Sequence, residues 1–524
     1  MRRMRRLAFA GIATAAIAVG LVACGGDDDG GGGAEGTVIR GTTDQPVGLD
    51  PANVWDLPSW DLLVNVYQTL LTIPPGGNQP EPDVAESCDF TNDTTFECKI
   101  KDGLTFSDGS PLTSEDVKFS YERNIAIESP TGAASLLAGV KSIETPDDTT
   151  VVFNLKEPDA TFPYIVSMQS MAIVPSDVFP EDDLQPDDQV IGSGQYTVAS
   201  YEPGQQIVFE KNDQYGGAYP AKNDQAIIQY FDKPSALKLA VEQGDLDVAY
   251  RSFSPTDLED LRSAEGLEVV GGSGTEIRYI VFNLDLMPGE SDAQKRAIRR
   301  AVAYTIDRDA IAENIYNGTV QPLYSQVPQG LEFATEAYKD EYGATPDPDA
   351  ATQELEKAGV ETPVALELWY TPTHYGTGTA DEFGEIERQL EDGGLFDVTL
   401  KSTEWNQYQE AALTDKYPVF GFGWYPDYPD ADDYTTPFWA TESFLNDHYS
   451  NPEIDKLLAE EKASTDPAKR AQAFEQIQSL AATDAPTIPV WQGGQVAAVR
   501  DGVEGVEETF DAAYLFRLWV ISKG

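Results

Sequence analysis

One stretch of the sequence decides the fold class: Lys101-Asp102-Gly103-Leu104-Thr105-Phe106-Ser107-Asp108-Gly109-Ser110-Pro111-Leu112-Thr113-Ser114-Glu115-Asp116-Val117. Its two Asp-Gly pairs are typical of turns, because both residue types tolerate the backbone conformations that turns need. Thr113 is a favourable N-cap, and Asp116 stands three residues later, as in a capping box. We therefore expect turns that lead into a helix through Tyr121 and Asn124.

Outside this stretch, short β-branched runs alternate with capped helices, which is typical of a mixed α/β fold. Strands are predicted at residues 151–155 and 207–209. Helices are predicted at residues 236–243, at 297–306 with a restart at Asp307, and after the pairs Asn451-Pro452 and Asp466-Pro467. Because 524 residues exceed what one hydrophobic core usually supports, at least two lobes are expected.

The N-terminus has the features of a secretory signal. Four arginines precede an uncharged run from Leu7 to Ala23, and the sequence Leu21-Val22-Ala23-Cys24 resembles a bacterial lipobox. Because the run is at the short limit for spanning a bilayer, cleavage is favoured over an uncleaved anchor. We expect residues 1–23 to be a signal peptide, Cys24 to carry a lipid, and residues 24–36 to form a flexible tether on the extracytoplasmic face of the membrane.

The chain has three cysteines, and the predicted lipidation of Cys24 leaves one pair. Cys88 and Cys98 flank two short predicted strands around an Asn-Asp turn, which would bring their sulfurs across one hairpin. An exported chain can oxidise such a pair, so a structural disulfide is expected. A redox or metal role is disfavoured, because the pair lacks CxxC spacing and a nearby histidine.

Composition and charge exclude some classes of partner. The chain is 41% hydrophobic and 10% aromatic, so most of it should fold. Its net charge of −54 makes nucleic acid an unfavourable partner. The acidic excess is interpreted as a solvated surface that keeps an exposed protein soluble, with attraction of cationic solutes as the alternative.

Several motifs together resemble family 5 of the bacterial solute-binding proteins, the peptide and nickel binding family, over nearly all of the chain after the tether. These motifs are residues 49–51, 81–87, the opening stretch 101–117, and residues 192–196, 244–249 and 301–308. Most of their glycines and aspartates are interpreted as turn and cap residues. Gly192-Ser193-Gly194, for example, is predicted to be a tight turn, because it lacks the lysine and the following helix of a phosphate-binding loop.

The resemblance implies a two-lobed, hinge-closing α/β fold of the type II periplasmic-binding kind, with an extra subdomain inserted in the first lobe. Lobe I is expected at residues 37–58, 189–270 and 491–524, the inserted subdomain at 59–188, and lobe II at 275–485. An oligopeptide or dipeptide would bind in the cleft between the lobes and pass to the permease of an ABC importer. Neither a cofactor nor catalysis is expected, and the protein is expected to be a monomer.

The segment from Gly423 to Tyr434 is the candidate ligand site, because it concentrates aromatic, proline and acidic residues. Its prolines stiffen the loop, so that rings and carboxylates are held ready for a ligand. Trp424 and Asp427 match the Trp-x-x-Asp of the family's peptide binders, which implies that the Asp427 carboxylate anchors the peptide's free α-amine. Tyr425 and Trp405 are candidate stacking walls, although a buried aromatic is more often a core residue.

Three more acids, Asp430, Asp432 and Asp433, crowd the same loop. They lack the glycine and glutamate positions of an EF-hand calcium loop, so solvated turn carboxylates are expected. His374 and His448 are not in metal-ligand spacing, and no metal site is expected. A non-peptide ligand, such as a cationic small molecule, a sugar or a metal complex, stays open.

Two other classes of protein fit the sequence less well. A secreted hydrolase would show a nucleophile elbow, a His-Glu-x-x-His zinc motif or a Cys-His dyad, and the sequence has none of these. Paired catalytic carboxylates stay open, because 89 acidic residues guarantee many pairs. If the protein were a passive adhesion or scaffold protein, the segment around Trp424 and Asp427 would have no function.

Overall fold

The structure is a computed structural model that describes residues 36–272 and 274–524. The predicted signal peptide, the lipidated Cys24 and the tether up to residue 35 lie outside the described residues, and these predictions stay predictions. The chain divides into residues 1–32 and a compact unit Gly33–Gly524, to which every described residue belongs. Within the described ranges, no helix has both the length and the apolar character needed to span a bilayer.

Strands and helices are numbered along the chain. A first sheet, within the described residues, contains in spatial order β12 (Leu267–Gly272), β19 (Gln495–Arg500), β11 (Val248–Tyr250), β1 (Thr37–Thr42), β10 (Gln225–Tyr230), β9 (Gln206–Lys211) and β8 (Tyr196–Glu202). Strand β1 is parallel to both β10 and β11, so the carboxyl ends of these three strands lie at one edge. A small apolar cluster packs the helices α4 (Pro234–Gln243) and α5 (Pro255–Arg262) against β11 and β19.

A second sheet contains in spatial order β14 (Val320–Pro322), β18 (Thr487–Gly493), β13 (Ile277–Phe282), β17 (Val419–Trp424), β15 (Val364–Tyr370) and β16 (Phe396–Ser402). Alternate residues of β13 enter two different apolar clusters, so the sheet is covered on both faces. The covering helices are α6 (Asp292–Thr305), α7 (Arg308–Asn314), α8 (Ala337–Tyr342), α9 (Pro348–Ala358), α10 (Thr379–Glu391), α11 (Trp405–Ala412), α12 (Thr436–Trp439), α13 (Pro452–Lys462) and α14 (Pro467–Asp484).

A third, antiparallel sheet is built in the order β4 (Ala85–Asn92), β5 (Thr95–Ile100), β7 (Thr150–Leu155) and β6 (Val140–Asp147). It shares one hydrophobic core with the first sheet. Cys88 and Cys98 lie opposite each other on β4 and β5, and the structure joins them in a disulfide. The remaining elements are α1 (Leu57–Val66), β2 (Leu71–Thr72), β3 (Glu81–Pro82), α2 (Ser114–Ile127), α3 (Phe162–Ile165), β20 (Val503–Glu504) and β21 (Ser522–Lys523).

The mixed α/β prediction is confirmed, and so are the helix starts predicted at Thr113, Asp307, Asn451 and Asp466, whereas α4 and α6 begin earlier than predicted, at Pro234 and Asp292. The backbone N–H of Thr113 donates to Asp116 Oδ2 at 2.9 Å, which completes the capping box of α2. Asp307, Asn451 and Asp466 are the N-caps of α7, α13 and α14, each with its carboxylate or amide oxygen accepting from the first turn. These polar side chains satisfy backbone donors that have no partner inside the helix.

The glycines at 192 and 194 have a different role from the predicted tight turn. The backbone bends here, but neither residue has a positive φ; as predicted, no helix follows, and β8 begins at Tyr196. A Cβ at Gly192 would lie 2.1 Å from the carbonyl oxygen of Val66 at the end of α1. Gly194 N donates to the same oxygen at 2.8 Å. Glycine is therefore required because two backbone segments approach closely.

The chain passes between the first and second sheets at two neighbouring places. It leaves β12 at Gly272 and enters β13 at Ile277, and it leaves β18 at Gly493 and enters β19 at Gln495. Trp491, where lobe I was predicted to resume, still lies on β18 of the second sheet, opposite Arg278 of β13. The return to the first sheet therefore comes at Gln495, because pairing with β13 holds β18 in the second sheet until then.

Candidate functional site

A cavity of about 470 Å³ lies between the first and second sheets, beside the two crossings. Its walls come from the carboxyl ends of β1 and β11 on one side, and from the segments after β15 and β17 on the other. Ligands of α/β proteins commonly bind at the carboxyl ends of strands, where loops meet. The volume is in the range of small-molecule sites in proteins.

On the first-sheet side, the cavity wall contains the ion pair Asp44–Arg251. Asp44 follows β1 and Arg251 follows β11, and because these strands are parallel neighbours, the two side chains meet at one edge. Arg251 Nε lies 3.0 Å from Asp44 Oδ2. Arg251 and the next residue, Ser252, have φ angles of 66° and 67°. This left-handed conformation is unfavourable for side chains with a Cβ and is found preferentially at functional sites.

On the second-sheet side, Glu276 lines the cavity and forms a salt bridge with Arg278, the second residue of β13. The Arg278 guanidinium is enclosed by aromatic rings, at 4.0 Å from the centre of the Tyr375 ring and 4.9 Å from that of Trp491. Both rings line the cavity. Cation–π contacts of this kind hold a desolvated guanidinium in place.

His374 also lines the cavity, and its ring stacks on Trp405 with 3.7 Å between the ring centres and 2° between the planes. Burial lowers the pKa of His374 to about 4, with further contributions from Arg278 and Arg251. The imidazole is therefore neutral at pH 7. Trp405, which was predicted to be a wall of the ligand site, packs against His374 and does not itself line the cavity.

The cavity of about 470 Å³ is the main cavity of the site, and of the four predicted ligand residues Tyr425 is the one that lines it. Its ring centre lies 5.2 Å from the Arg251 guanidinium carbon and 5.6 Å from the ring centre of Tyr514. Burial raises the pKa of the Tyr425 hydroxyl, which therefore keeps its proton at neutral pH. Tyr425 links the two sides of the cavity.

Asp427 lies in a second, much smaller cavity of about 20 Å³, which is lined by ten residues that include Trp60, Tyr428 and Leu515. Its Oδ1 accepts a hydrogen bond from Trp55 Nε1 at 2.8 Å, although Trp55 is 372 positions away in the chain. A cavity of this volume holds one group of the size of a water molecule.

Trp424 does not line either of these cavities. Its indole packs against Phe438 and Phe444, and its Nε1 donates to Asp433 Oδ2 at 3.1 Å. The same oxygen accepts from the backbone N of Asp427 at 3.0 Å. Trp424 and Asp433 therefore fix the backbone at Asp427, and Trp424 is placed to orient the loop.

Asp427 and Asp433 form an acidic pair without a basic partner. Asp433 is 1% exposed, while Asp427 is half-buried beside the small cavity. Burial raises the pKa of both carboxyls, and repulsion from Asp427 raises that of Asp433 further. Among the described residues, neither forms a salt bridge, whereas the buried Asp50, Asp61 and Asp511 each pair with an arginine.

The expectation of solvated turn carboxylates at 430, 432 and 433 was wrong, because all three are at most 3% exposed. Asp430 accepts from Arg470 Nη1 and Nη2 at 2.9 and 2.7 Å. Asp432 accepts from the Tyr428 hydroxyl at 2.9 Å and from the hydroxyl of Thr436, the first residue of α12. Burial, together with Asp432, raises the pKa of the neighbouring Glu461 to about 10, which keeps Glu461 protonated at pH 7. The loop is held rigidly by these contacts.

No group of three or more potential metal ligands occurs in the part of the chain that the structure describes. His448 Nε2 lies 2.7 Å from Asp415 Oδ1 and 3.8 Å from Asp285 Oδ2, at the protein surface. His374 stands in the main cavity, with its neighbours described above.

Sequence reasoning missed most of the main cavity, above all Arg251, Arg278 and His374. One local signal was available, because Arg251 follows the motif 244–249 at the carboxyl end of a buried strand. Arg278 and His374 lie on separate elements 96 positions apart, and no spacing rule connects them.

The chain matches known proteins over most of its length. The model of bacterial extracellular solute-binding proteins, family 5 middle, matches residues 79–446. The probable D,D-dipeptide-binding periplasmic protein DdpA of Escherichia coli is 26% identical over 490 residues, or 89% of this chain and 90% of its own. The periplasmic oligopeptide-binding protein OppA of Haemophilus influenzae is 24% identical over 507 residues, or 91% and 92%.

A solved structure, the ABC transporter substrate binding protein CtaP of Listeria monocytogenes, has a TM-score of 0.81 and 23% identity. The match covers 93% of this chain and 99% of that chain. The predicted two-lobed α/β fold is confirmed by this likeness, with the main cavity between the two sheets.

Proposed function

We propose that this chain, which belongs to family 5 of the bacterial extracellular solute-binding proteins, captures short peptides with a free N-terminus between its lobes. Two of the similar proteins carry dipeptide-binding and oligopeptide-binding in their names, and a third is a substrate-binding protein of an ABC transporter. The bound peptide passes to the permease of an ABC importer. The protein performs no catalysis, which is in keeping with a family of solute-binding proteins.

The observation that carries this proposal is the acidic pair Asp427–Asp433. An ionised carboxylate removed from water is unfavourable unless a cation or several donors compensate it. Here the cation is not supplied by the described residues, and the adjoining cavity of about 20 Å³ has room for one small polar group. A peptide's α-ammonium has that size, the opposite charge and three donors.

The two cavities adjoin along the chain, because Tyr425 and Tyr514 line the main cavity while Asp427, Ala513 and Leu515 line the small one. Tyr425 lines the main cavity and Asp427 is two residues further along, at most about 7 Å between Cα atoms. An ammonium group beside Asp427 therefore leaves the rest of a short solute free to occupy the 470 Å³ between the sheets. Trp55 Nε1 donates to Asp427 Oδ1, and a carboxylate has further lone pairs with which it can accept from an ammonium group.

Lobe I, at residues 37–58, 189–270 and 491–524, carries the inserted subdomain 59–188, and 275–485 forms lobe II. The course of β18 supports moving the start of the last lobe I segment to Gln495. Residues 1–23 direct export, Cys24 carries the lipid, and the tether keeps a monomeric binding protein near its permease on the extracytoplasmic face of the membrane. Ligand that contacts both lobes stabilises the closed state, which the permease recognises.

The same acidic pair would also accept a cationic solute that is not a peptide. Calorimetric titration of the full chain with trialanine, choline and putrescine separates the two possibilities. We expect trialanine to bind and the two simple cations to bind at least tenfold more weakly, since they cannot use the walls of the main cavity. Tight binding of choline or putrescine without binding of any tri- or tetrapeptide would refute the peptide proposal and retain a cation-binding role.

A further inference from the structure

Phe444 is a surface aromatic residue that packs against Trp424. Its side chain is 37% exposed, yet its ring centre lies 5.2 Å from that of Trp424 and 5.7 Å from that of the buried Phe438. Aromatic pairs at such distances attract each other beyond the effect of the area that they bury. Phe444 is therefore the outermost of three rings that contact one another, and it covers part of the Trp424 indole.

Phe444 belongs to segment 441–449, which contains neither a helix nor a strand. At the start of the segment, the backbone N of Thr441 donates to Asp455 Oδ1 of α13 at 2.8 Å, and the Thr441 hydroxyl donates to Oδ2 at 2.6 Å. Near its end, the carbonyl oxygen of Asp447 accepts from the backbone N of Leu284 at 2.8 Å. The segment is thus fixed on both sides of Phe444.

A surface contact adds a further tie at the end of the segment. His448 Nε2 lies 2.7 Å from Asp415 Oδ1, and the Asn283 amide donates to the same oxygen at 2.7 Å. Within the segment, Glu442 and Asn446 have φ angles of 65° and 48°, and His448 has one of 62°. Such left-handed residues are unfavourable unless the surrounding structure imposes them. The ties therefore hold the segment in a conformation that it would not adopt alone.

The position of the Trp424 indole bears directly on the acidic pair. Its Nε1 and the backbone N of Asp427 donate to one oxygen, Asp433 Oδ2, at 3.1 and 3.0 Å. Burial and then Asp427 raise the pKa of Asp433, whereas the Trp424 donor lowers it. A displaced indole would remove one of these donors. Asp433 would then take up a proton more readily and would hold the backbone at Asp427 less firmly.

We propose that segment 441–449 positions the amine-binding carboxylate from outside the ligand site, with Phe444 as the positioning residue that acts through Trp424. The inference rests on the proposed function, because it takes Asp427 as the anchor of a peptide's ammonium group. Phe444 lines neither the main cavity nor the small one. The preference for a free N-terminus then depends on a residue that the ligand does not touch.

Phe444→Ala tests the positioning role through a ratio of two affinities. Trialanine and N-acetyl-trialanine are titrated into the full chain by calorimetry, and the ratio of their dissociation constants reports the use of the ammonium group. We expect the variant to bind trialanine about 3- to 10-fold more weakly, as for loss of one hydrogen bond, and to bind the acetylated form within about twofold of wild type. Phe444→Tyr keeps the ring and should retain the wild-type ratio.

A double substitution identifies the route of the effect. Trp424→Phe keeps an aromatic ring but lacks the indole N–H, so it should lose the preference to a similar extent as Phe444→Ala. Adding Phe444→Ala to Trp424→Phe should change the ratio no further, because residues that act through one shared contact are not additive. A fully additive effect in the double variant would overturn the route through Trp424.

Tyr304→Ala is the matched control. Tyr304 is a half-buried aromatic residue whose ring centre lies 4.7 Å from that of Tyr342, and it packs on the face of the second sheet opposite to Trp424. This variant should lower the melting temperature and leave the ratio of the two affinities unchanged. Melting curves without ligand verify that each variant is folded.

A measurement without ligand separates the inference from the proposed function. Exchange of the backbone N–H groups of residues 425–433 is followed by mass spectrometry in the ligand-free full chain. We expect exchange about 3- to 10-fold faster in Phe444→Ala than in wild type, because the local structure opens more often, and no change in Tyr304→Ala. Unchanged exchange in folded Phe444→Ala would overturn the inference, and so would an unchanged peptide ratio. Equal affinity of the wild-type protein for both peptides would refute the amine anchor, and the exchange result alone then decides the positioning role.

Discussion

Replacing Asp427 by asparagine separates its charge from its shape. Asparagine keeps an oxygen that accepts from Trp55 but cannot form an ion pair with an ammonium group. The charge-assisted hydrogen bonds of a shielded ammonium contribute about 1.5–3 kcal/mol. We therefore expect Asp427→Asn to weaken binding of a free-amine tripeptide about 10- to 150-fold, and binding of its N-acetylated form by less than about threefold, as measured by calorimetry.

The same variant should be more stable without ligand. Burial and the neighbouring Asp433 disfavour ionised carboxyls here, so removal of one charge relieves repulsion at pH 7.5. A rise in melting temperature of about 1–3 °C is expected. Asp430→Asn is the matched control in the same loop, because Asp430 is neutralised by Arg470. It should lower the melting temperature and leave the ratio of free to acetylated peptide unchanged. Equal weakening of both peptides by Asp427→Asn would refute the anchoring role.

Three further predictions concern pH, the disulfide and a close backbone contact. The pKa of Asp427 is raised without ligand, whereas a bound ammonium favours the ionised carboxylate. Binding of free-amine peptides should therefore release protons and weaken as the pH falls from 7.5 to 5. If the ratio of the affinities for the free-amine and the acetylated peptide did not change with pH, this prediction would be contradicted. Replacing Cys88 and Cys98 by serine should lower the free energy of unfolding by about 2–3 kcal/mol in denaturant titrations and leave the dissociation constant unchanged. Gly192→Ala should lower the free energy of unfolding by about 1–3 kcal/mol, because the new Cβ would clash with the backbone at the end of α1.

The helices were predictable from the sequence because their signals are local. A cap residue and the backbone groups it satisfies lie within one turn, so Thr113 and Asp116 fix the start of α2 without help from the rest of the fold. The hairpin of Cys88 and Cys98 was predictable for the same reason. Chain length alone predicts at least two lobes, but their order along the chain came from the resemblance to a family, since the crossings near residues 272 and 494 leave no local pattern.

The contacts within the site were less predictable, because the residues that interact there are distant from one another in the sequence. Asp430 looked like a solvated turn residue, yet its partner Arg470 lies 40 positions away on α14. Asp427 was identified from the family motif, but its contact with Trp55, 372 positions away in the chain, is not visible in the sequence. Arg251 was missed because a lone arginine after a short strand is normally read as a surface residue.

The most direct test is mass spectrometry of the small molecules released when the purified full chain is denatured. We expect short peptides with free N-termini, present in a ratio near one per protein chain and absent from preparations of the Asp427→Asn variant. A single non-peptide solute that is retained by Asp427→Asn would contradict peptide capture through this carboxylate, while leaving the solute-binding fold in place.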